Sequence, residues 1–363
     1  MRGADERAHA VHALGACRLD PNDIRLPRGG LLCVALLAIL LSPSTTGAEG
    51  TSLTSFEINL VAAHAEQEGW SGEVPHSQRN SVGFEHFARL AGPHGDFLTL
   101  NVQARISYDT SVDADDALAL ELHNAFGELR LGLGKRVRVG HFAPEFGLEP
   151  SLDTHATLLQ TLAIRDIGFK KDWGIGYRVA LDAVDVGVAA QLGAGMGIQR
   201  RDGSYLVSAR LSTPERGNPV LGLSALLGEV LTGTRPSLYP TPDYGGHATS
   251  KRRLGADASY VWRRFSFAAE LSSGKNDGAE ILGGALLVEY TPGWNDRLAI
   301  RGNLFGWMGD PDDGDALWSE VALVGSYRVT SRWTLRLLGA RELASGTGSE
   351  QTRLAVQAYY LGG

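Results

Sequence analysis

The chain has 363 residues, 43% of them hydrophobic and 21% charged, with 46 glycines and a formal net charge of −7. No run after residue 41 approaches the roughly 20 apolar residues of a membrane helix, which excludes a helical membrane protein. The acidic balance argues against nucleic acid as a partner.

Residues 1–24 are an extension of mixed composition. Arg25 and Arg28 then precede the apolar run Leu31–Leu41, and Ser42-Pro43-Ser44-Thr45-Thr46-Gly47-Ala48 follows it. Basic, apolar and small-residue regions in that order define a secretory signal, with cleavage expected after Ala48. Residues 1–48 are therefore read as extension plus leader, and residues 49–363 as the mature domain. Cys17 and Cys33 both fall in the leader region, so the mature chain carries no thiol for a disulfide, zinc site or nucleophile. Cleavage leaves 29 basic and 37 acidic side chains, a net charge of −8.

From Ser52 onward, segments of about ten residues alternate apolar with small or polar side chains, the rhythm of an outer-membrane β-barrel. In Phe97–Tyr108, for example, Leu98, Leu100, Val102, Ala104, Ile106 and Tyr108 share one face, and Thr99, Asn101, Gln103, Arg105 and Ser107 the other. Strands are expected at 53–63, 80–91, 97–108, 117–133, 135–142, 173–182, 184–194, 203–213, 219–230, 251–262, 264–274, 280–291, 297–308, 316–329, 332–343 and 351–361. They define an all-β protein, a transmembrane antiparallel β-barrel of about 16 strands. Fourteen or eighteen are compatible with a bulge near Asn124 or a short strand in 165–172. With the first strand running outward, gaps on the inner side are short (92–96, 134, 183, 214–218, 263, 292–296, 330–331). Those on the outer side are expected to match or exceed the longest of them (64–79, 109–116, 143–172, 195–202, 231–250, 275–279, 309–315, 344–350). A soluble sandwich needs no such order of gaps. Tyr108, Tyr260, Trp262, Tyr290, Trp294, Trp307, Trp318, Tyr327, Trp333, Tyr359 and Tyr360 lie near strand ends, where an interfacial girdle belongs.

The strand ending at Phe142 leads into Gly140-His141-Phe142-Ala143-Pro144-Glu145-Phe146-Gly147-Leu148-Glu149, with Arg165-Asp166-Ile167-Gly168 further on. These stretches resemble the phosphate-selective porin O and P family, which carries a Gly-x-Phe-Lys-x-Pro-Phe-Gly-Leu-Glu-like run followed by Arg-Asp-Ile-Gly. The resemblance implies a 16-stranded, trimeric channel whose third outer loop folds into the lumen as its constriction. Here that loop is 143–172, with Glu145, Glu149, Asp153, His155, Arg165, Asp166, Lys170 and Lys171. The family's lysine is replaced by Ala143, and the chain ends Tyr359-Tyr360-Leu361-Gly362-Gly363 without a terminal aromatic.

Alternation assigns Arg105, Arg130, Arg138, Arg178, Arg210, Arg253, Arg301, Arg336 and Arg353 to the interior, opposite Glu85, Glu121, Glu128, Asp257, Glu270, Glu289, Glu320 and Glu342. An arginine facing lipid at mid-bilayer costs roughly 2–4 kcal/mol, which forces most of these inward. They form either an arginine ladder for anions or a set of ion pairs that brace the wall of a weakly selective pore. Nearly equal numbers of each sign favour the second.

No Gly-x-Ser-x-Gly elbow, His-Glu-x-x-His or phosphate loop is present, so neither enzyme activity nor a cofactor is expected. The acidic clusters Asp109, Asp113, Asp115, Asp116 and Asp310, Asp312, Asp313, Asp315 miss calcium-loop spacing and read as solvated turns. The expected function is passive diffusion of small hydrophilic solutes or ions across the outer membrane of a Gram-negative bacterium. Lipid and lipopolysaccharide would surround the barrel, and a homotrimer is the expected assembly. An anion or phosphate channel is the alternative within transport; a barrel enzyme or structural anchor is the alternative outside it.

Overall fold

The computed structural model describes residues 49–66, 69–74, 78–93, 95–108, 118–152, 156–198, 202–231, 247–309, 317–344 and 351–363. The leader, Asp153, His155 and both acidic clusters lie outside the described residues. Sixteen long strands form the wall: β1 (Glu49–Ala65), β4 (Gln78–Gly92), β5 (Gly95–Tyr108), β6 (Leu118–Gly132), β7 (Lys135–Phe142), β8 (Asp172–Ala180), β9 (Asp185–Gln191), β10 (Tyr205–Ser212), β11 (Val220–Leu231), β12 (Ala248–Trp262), β13 (Phe265–Asn276), β14 (Ala279–Tyr290), β15 (Leu298–Met308), β16 (Trp318–Arg328), β17 (Trp333–Ala344) and β18 (Thr352–Gly362). Two short strands, β2 (Gly69–Ser71) and β3 (Glu73–Val74), extend the first outer connection, and one short helix, α1 (Leu162–Asp166), lies in the long segment after β7.

Each long strand pairs antiparallel with its sequence neighbour, and β1 pairs with β18 from Phe56↔Gly362 to Ala65↔Arg353. The sheet is thus closed, so strand–strand pairing satisfies the wall's backbone groups without a free edge. The expected sixteen strands are all present. Within 165–172 the chain forms the end of α1 and then an irregular stretch, rather than an extra strand. The register shift opposite Gln103/Ala104 leaves His123 as the bulged residue, beside Asn124.

Burial shows which face is which. Leu254, Leu271, Leu323 and Leu337 are each more than half exposed, while Arg253, Asp257, Glu270 and Glu320 on the alternate positions are 2–6% exposed. Apolar outside and polar inside is the reverse of a soluble domain, and it removes the sandwich from consideration.

The order of gaps holds with one exception. β13 and β14 are joined by Asp277 and Gly278 alone, shorter than the opposite-side link 213–219. With φ of +45° and +98°, this Asp-Gly pair makes the tight hairpin turn whose twist matches that of its strands. The expected aromatic girdle also needs correction. Tyr260, Trp262, Tyr290, Tyr327, Trp333 and Tyr360 face outward at the short-turn end, and Trp333 and Tyr360 lie 5.2 Å apart. Trp307, Trp318 and Tyr359 face inward: Trp318 packs on Phe305 and Leu162, and the Tyr359 hydroxyl donates to Glu57 Oε2 (2.9 Å). Period-2 parity put Tyr359 and Tyr360 on opposite faces; position near a strand end could not.

Candidate functional site: a segment folded into the barrel

After Phe142 the described residues 143–152 and 156–171 lie inside the lumen, and the chain rejoins the wall at Asp172. The Glu145 N–H donates to Ser208 Oγ on β10 (2.9 Å), and its carboxylate accepts from Arg178 Nε on β8 (2.7 Å). Gly147 N–H donates to Ser224 Oγ on β11 (3.1 Å). Gly147 has φ +57°, and any Cβ there would collide with the Glu270 carboxyl, so only glycine fits both the backbone and the space. Glu270 also accepts the Leu148 N–H.

Beyond the undescribed residues 153–155, Leu158 and Leu159 pack on the far wall in a patch of small and branched side chains: Val61 and Ala63 of β1, Ala322 and Val324 of β16, Ala340 of β17 and Ala355 of β18. The chain then returns. Asn303 Nδ2 donates to the Gln160 carbonyl (3.3 Å), and the Arg165 guanidinium lies 4.7 Å from the Trp318 ring centroid. Asp166, 1% exposed, pairs with Arg253 of β12 and accepts from Ser272 Oγ of β13 (2.6 Å). Lys251 Nζ donates to the Ile167 carbonyl (2.8 Å), and Lys171 Nζ donates to Asn124 Oδ1 of β6 (2.8 Å). Phe146, Ile167 and Phe169 form one apolar cluster with Leu206, Leu226 and Val230. The segment therefore spans the barrel interior, held by ion pairs on one side and alanine-lined packing on the other.

The wall is cut to receive it. Inward positions opposite the segment are glycine or serine on successive strands: Gly176, Gly187, Ser208, Ser224, Gly255, Ser272 and Gly283. A Cβ at 255 would meet Phe146 at 3.0 Å, and one at 283 would meet Leu162 at 2.8 Å. Sequence reasoning missed these residues. The available signal was a run of small side chains on the inward parity of β8 to β14.

All eleven residues assigned to the pore wall face inward, but most are committed to partners. Arg105 pairs with Glu57, Arg130 with Asp96 (3.8 Å), Arg138 with Glu128 (2.6 Å), Arg210 with Asp257 (2.5 Å), Arg301 with Glu289, and Arg353 with Glu320. Arg178 reaches Glu215 (3.3 Å) as well as Glu145. Arg336 donates to Gln357 Oε1 (2.9 Å) and lies over the Tyr359 ring. Glu121 accepts from Ser107 Oγ (2.7 Å) and pairs with Arg79 (3.6 Å). Arg105, Arg210 and Glu270 are each at most 7% exposed, so they brace the interior instead of lining open water. Arg130, Arg136 and Arg178 occupy directly paired registers on β6, β7 and β8, and Gly187 alone separates Arg178 from Arg210. Arg136, Arg178 and Arg210 line a small recess that Glu145, Asp185 and Glu215 share.

Within the segment, burial raises the Glu149 carboxyl above its usual range. Burial lowers the Lys170 ammonium and brings Lys171 down to about 8, with the Glu149 charge opposing the shift in both.

A closed, inverted barrel with a segment laid across its interior defines a class: the transmembrane β-barrel of outer-membrane porin type. Solved structures agree. The chain is similar to the anion-selective porin from Comamonas acidovorans at 14% identity and TM-score 0.60, over 86% of this chain and 100% of that one. It is similar to OmpT of Vibrio cholerae in its trimer form at 11% and 0.58 (86% and 99%). To the outer membrane channel DcaP of Acinetobacter baumannii the values are 10% and 0.57 (88% and 100%). At these identities the likeness is one of fold. No protein-family model matches the chain, and no curated protein does.

Proposed function

We propose that the chain is an outer-membrane porin, exported by the leader at its N-terminus, through which small hydrophilic solutes and ions diffuse passively. The observation that carries this reading is the segment 143–171, clamped inside a closed barrel whose outer surface is apolar and whose inner surface is charged. Such a segment sets the bore and field of a water path. The barrel sits in lipid and lipopolysaccharide and assembles as a homotrimer.

Pairing of most lumenal arginines with carboxylates supports weak selectivity. One observation favours the narrower anion-selective reading: the register row Arg130, Arg136, Arg178 and Arg210, which concentrates positive charge on one side of the wall. Phosphate selectivity, implied by the family resemblance, is the most specific form of that reading.

Purified protein in planar bilayers should give discrete conductance steps in potassium chloride. Absence of steps overturns the porin reading. Reversal potentials in a salt gradient then separate the two forms: a near-zero value supports the general pore, and a clear anion preference the selective one.

A further inference from the structure

The lumenal face of β4 to β7 carries two aromatic rings where a general pore needs none. Phe87, Asn101 and Phe126 are directly paired across β4, β5 and β6, so all three face inward at one level. The next inward level toward the short turns pairs Arg89, Thr99, Glu128 and Arg138. Each ring is covered by a guanidinium from that level: Arg89 lies 5.1 Å from the Phe87 centroid and Arg138 4.5 Å from that of Phe126.

The two arginines differ in commitment. Arg138 is fixed by two hydrogen bonds to Glu128 Oε2 (3.0 and 2.6 Å). Arg89 is exposed and has no carboxylate partner among the described residues. Between the rings, Asn101 is 6% exposed. Its Nδ2 donates to Glu85 Oε1 (2.7 Å), while its Oδ1 is buried without a donor. A buried acceptor left unpaired is costly, and a bound group that supplies a donor removes that cost.

We propose that this face is a subsite for aromatic carboxylates, with preference for rings bearing a hydroxyl. It rests on the reading of the lumen as a solute path. The solute ring packs against Phe87 and Phe126, its carboxylate takes the uncommitted Arg89 guanidinium, and a ring hydroxyl donates to Asn101 Oδ1. Chloride or acetate engages only Arg89, so the site distinguishes organic anions by their flat apolar body. Binding there slows the ion current without sealing the pore.

The test uses the full mature protein and two probes, sodium benzoate and sodium 4-hydroxybenzoate, against acetate. Each aromatic probe should reduce single-channel potassium chloride current at concentrations at least tenfold below those at which acetate does so, and 4-hydroxybenzoate should act below benzoate. Arg89→Gln should weaken both probes about tenfold, and Phe87→Leu or Phe126→Leu about fivefold, each measured against that variant's own unblocked current. Asn101→Ala should erase only the hydroxyl preference. Equal action of benzoate and acetate, or block unaltered in the variants, overturns the subsite while leaving the pore intact. Should the protein form no channel, calorimetric titration of benzoate into detergent-solubilised protein still decides: saturable binding lost in Arg89→Gln supports the subsite, and none overturns it.

Discussion

Among single residues, Lys171 links the geometry to pH. It sits where the inward segment rejoins the wall, bonded to Asn124, with Glu149, Lys170, Arg105 and Glu85 as the charges that act on it. Burial lowers its ammonium to about 8, against an ordinary value of 10.5. Between those values the unfolded chain holds a proton that the folded one has released, so this residue makes the fold more stable as pH rises from about 8 toward 10.5. Function moves with the same proton: the lumen loses one positive charge as pH passes 8. The anion-to-cation permeability ratio should therefore fall between pH 7 and 9, and Lys171→Met should hold it low and flat. A wild-type ratio constant over that range would count against the assignment.

At the scale of the element, the inward segment depends on a few anchors. Asp166 is the most enclosed of them, set between Arg253 and Ser272. Loss of one partner of a buried ion pair costs about 3–5 kcal/mol, because the other charge stays buried. Asp166→Ala should release the end of α1 and raise single-channel conductance, and Arg253→Ala should do the same. Unchanged conductance in both variants would show that the segment does not set the bore. The strands themselves were legible in the sequence, since lipid outside and charge inside impose a two-residue period that no packing preference overrides. Arg105, Glu121 and Glu270 lie on the buried side of their strands, the side that parity assigns to the interior. What parity cannot show is depth of commitment. Glu270 reads as a pore carboxylate but spends its oxygens on the Gly147 turn, and Leu158 and Leu159 look like any loop leucines until the alanines of β1, β17 and β18 are seen opposite them. The Asp277-Gly278 hairpin escaped the loop-length rule because a two-residue turn of that chemistry suits either end of a barrel.

Among the described residues of the whole molecule, the outward face of β1 and β4 carries a polar pair. His86 of β4 faces outward and shares a 2.8 Å hydrogen bond with Thr54 of β1. Both would meet hydrocarbon in a lone barrel, a cost that a second copy of the chain against this face relieves. If the leader is removed the mature chain has no cysteine, so His86→Cys and Leu254→Cys each supply a unique thiol. Bismaleimide treatment in membranes should link copies through position 86 and not through position 254, eight strands away around the wall. Linking through neither, together with a monomeric mass in mild detergent, would remove the trimer.

The pairing of β1 with β18 has a further consequence. The first strand of the mature domain and the last one of the chain form a single seam, and Arg105, Glu57 and Tyr359 tie it on the inside. Contacts between residues some 300 positions apart are the slowest to form in folding. Glu57 has its Arg105 partner once β5 is in place, but the Tyr359 hydroxyl bond and the closure of the sheet wait for β18. Until those two ends pair, the sheet is an open ring with two free edges.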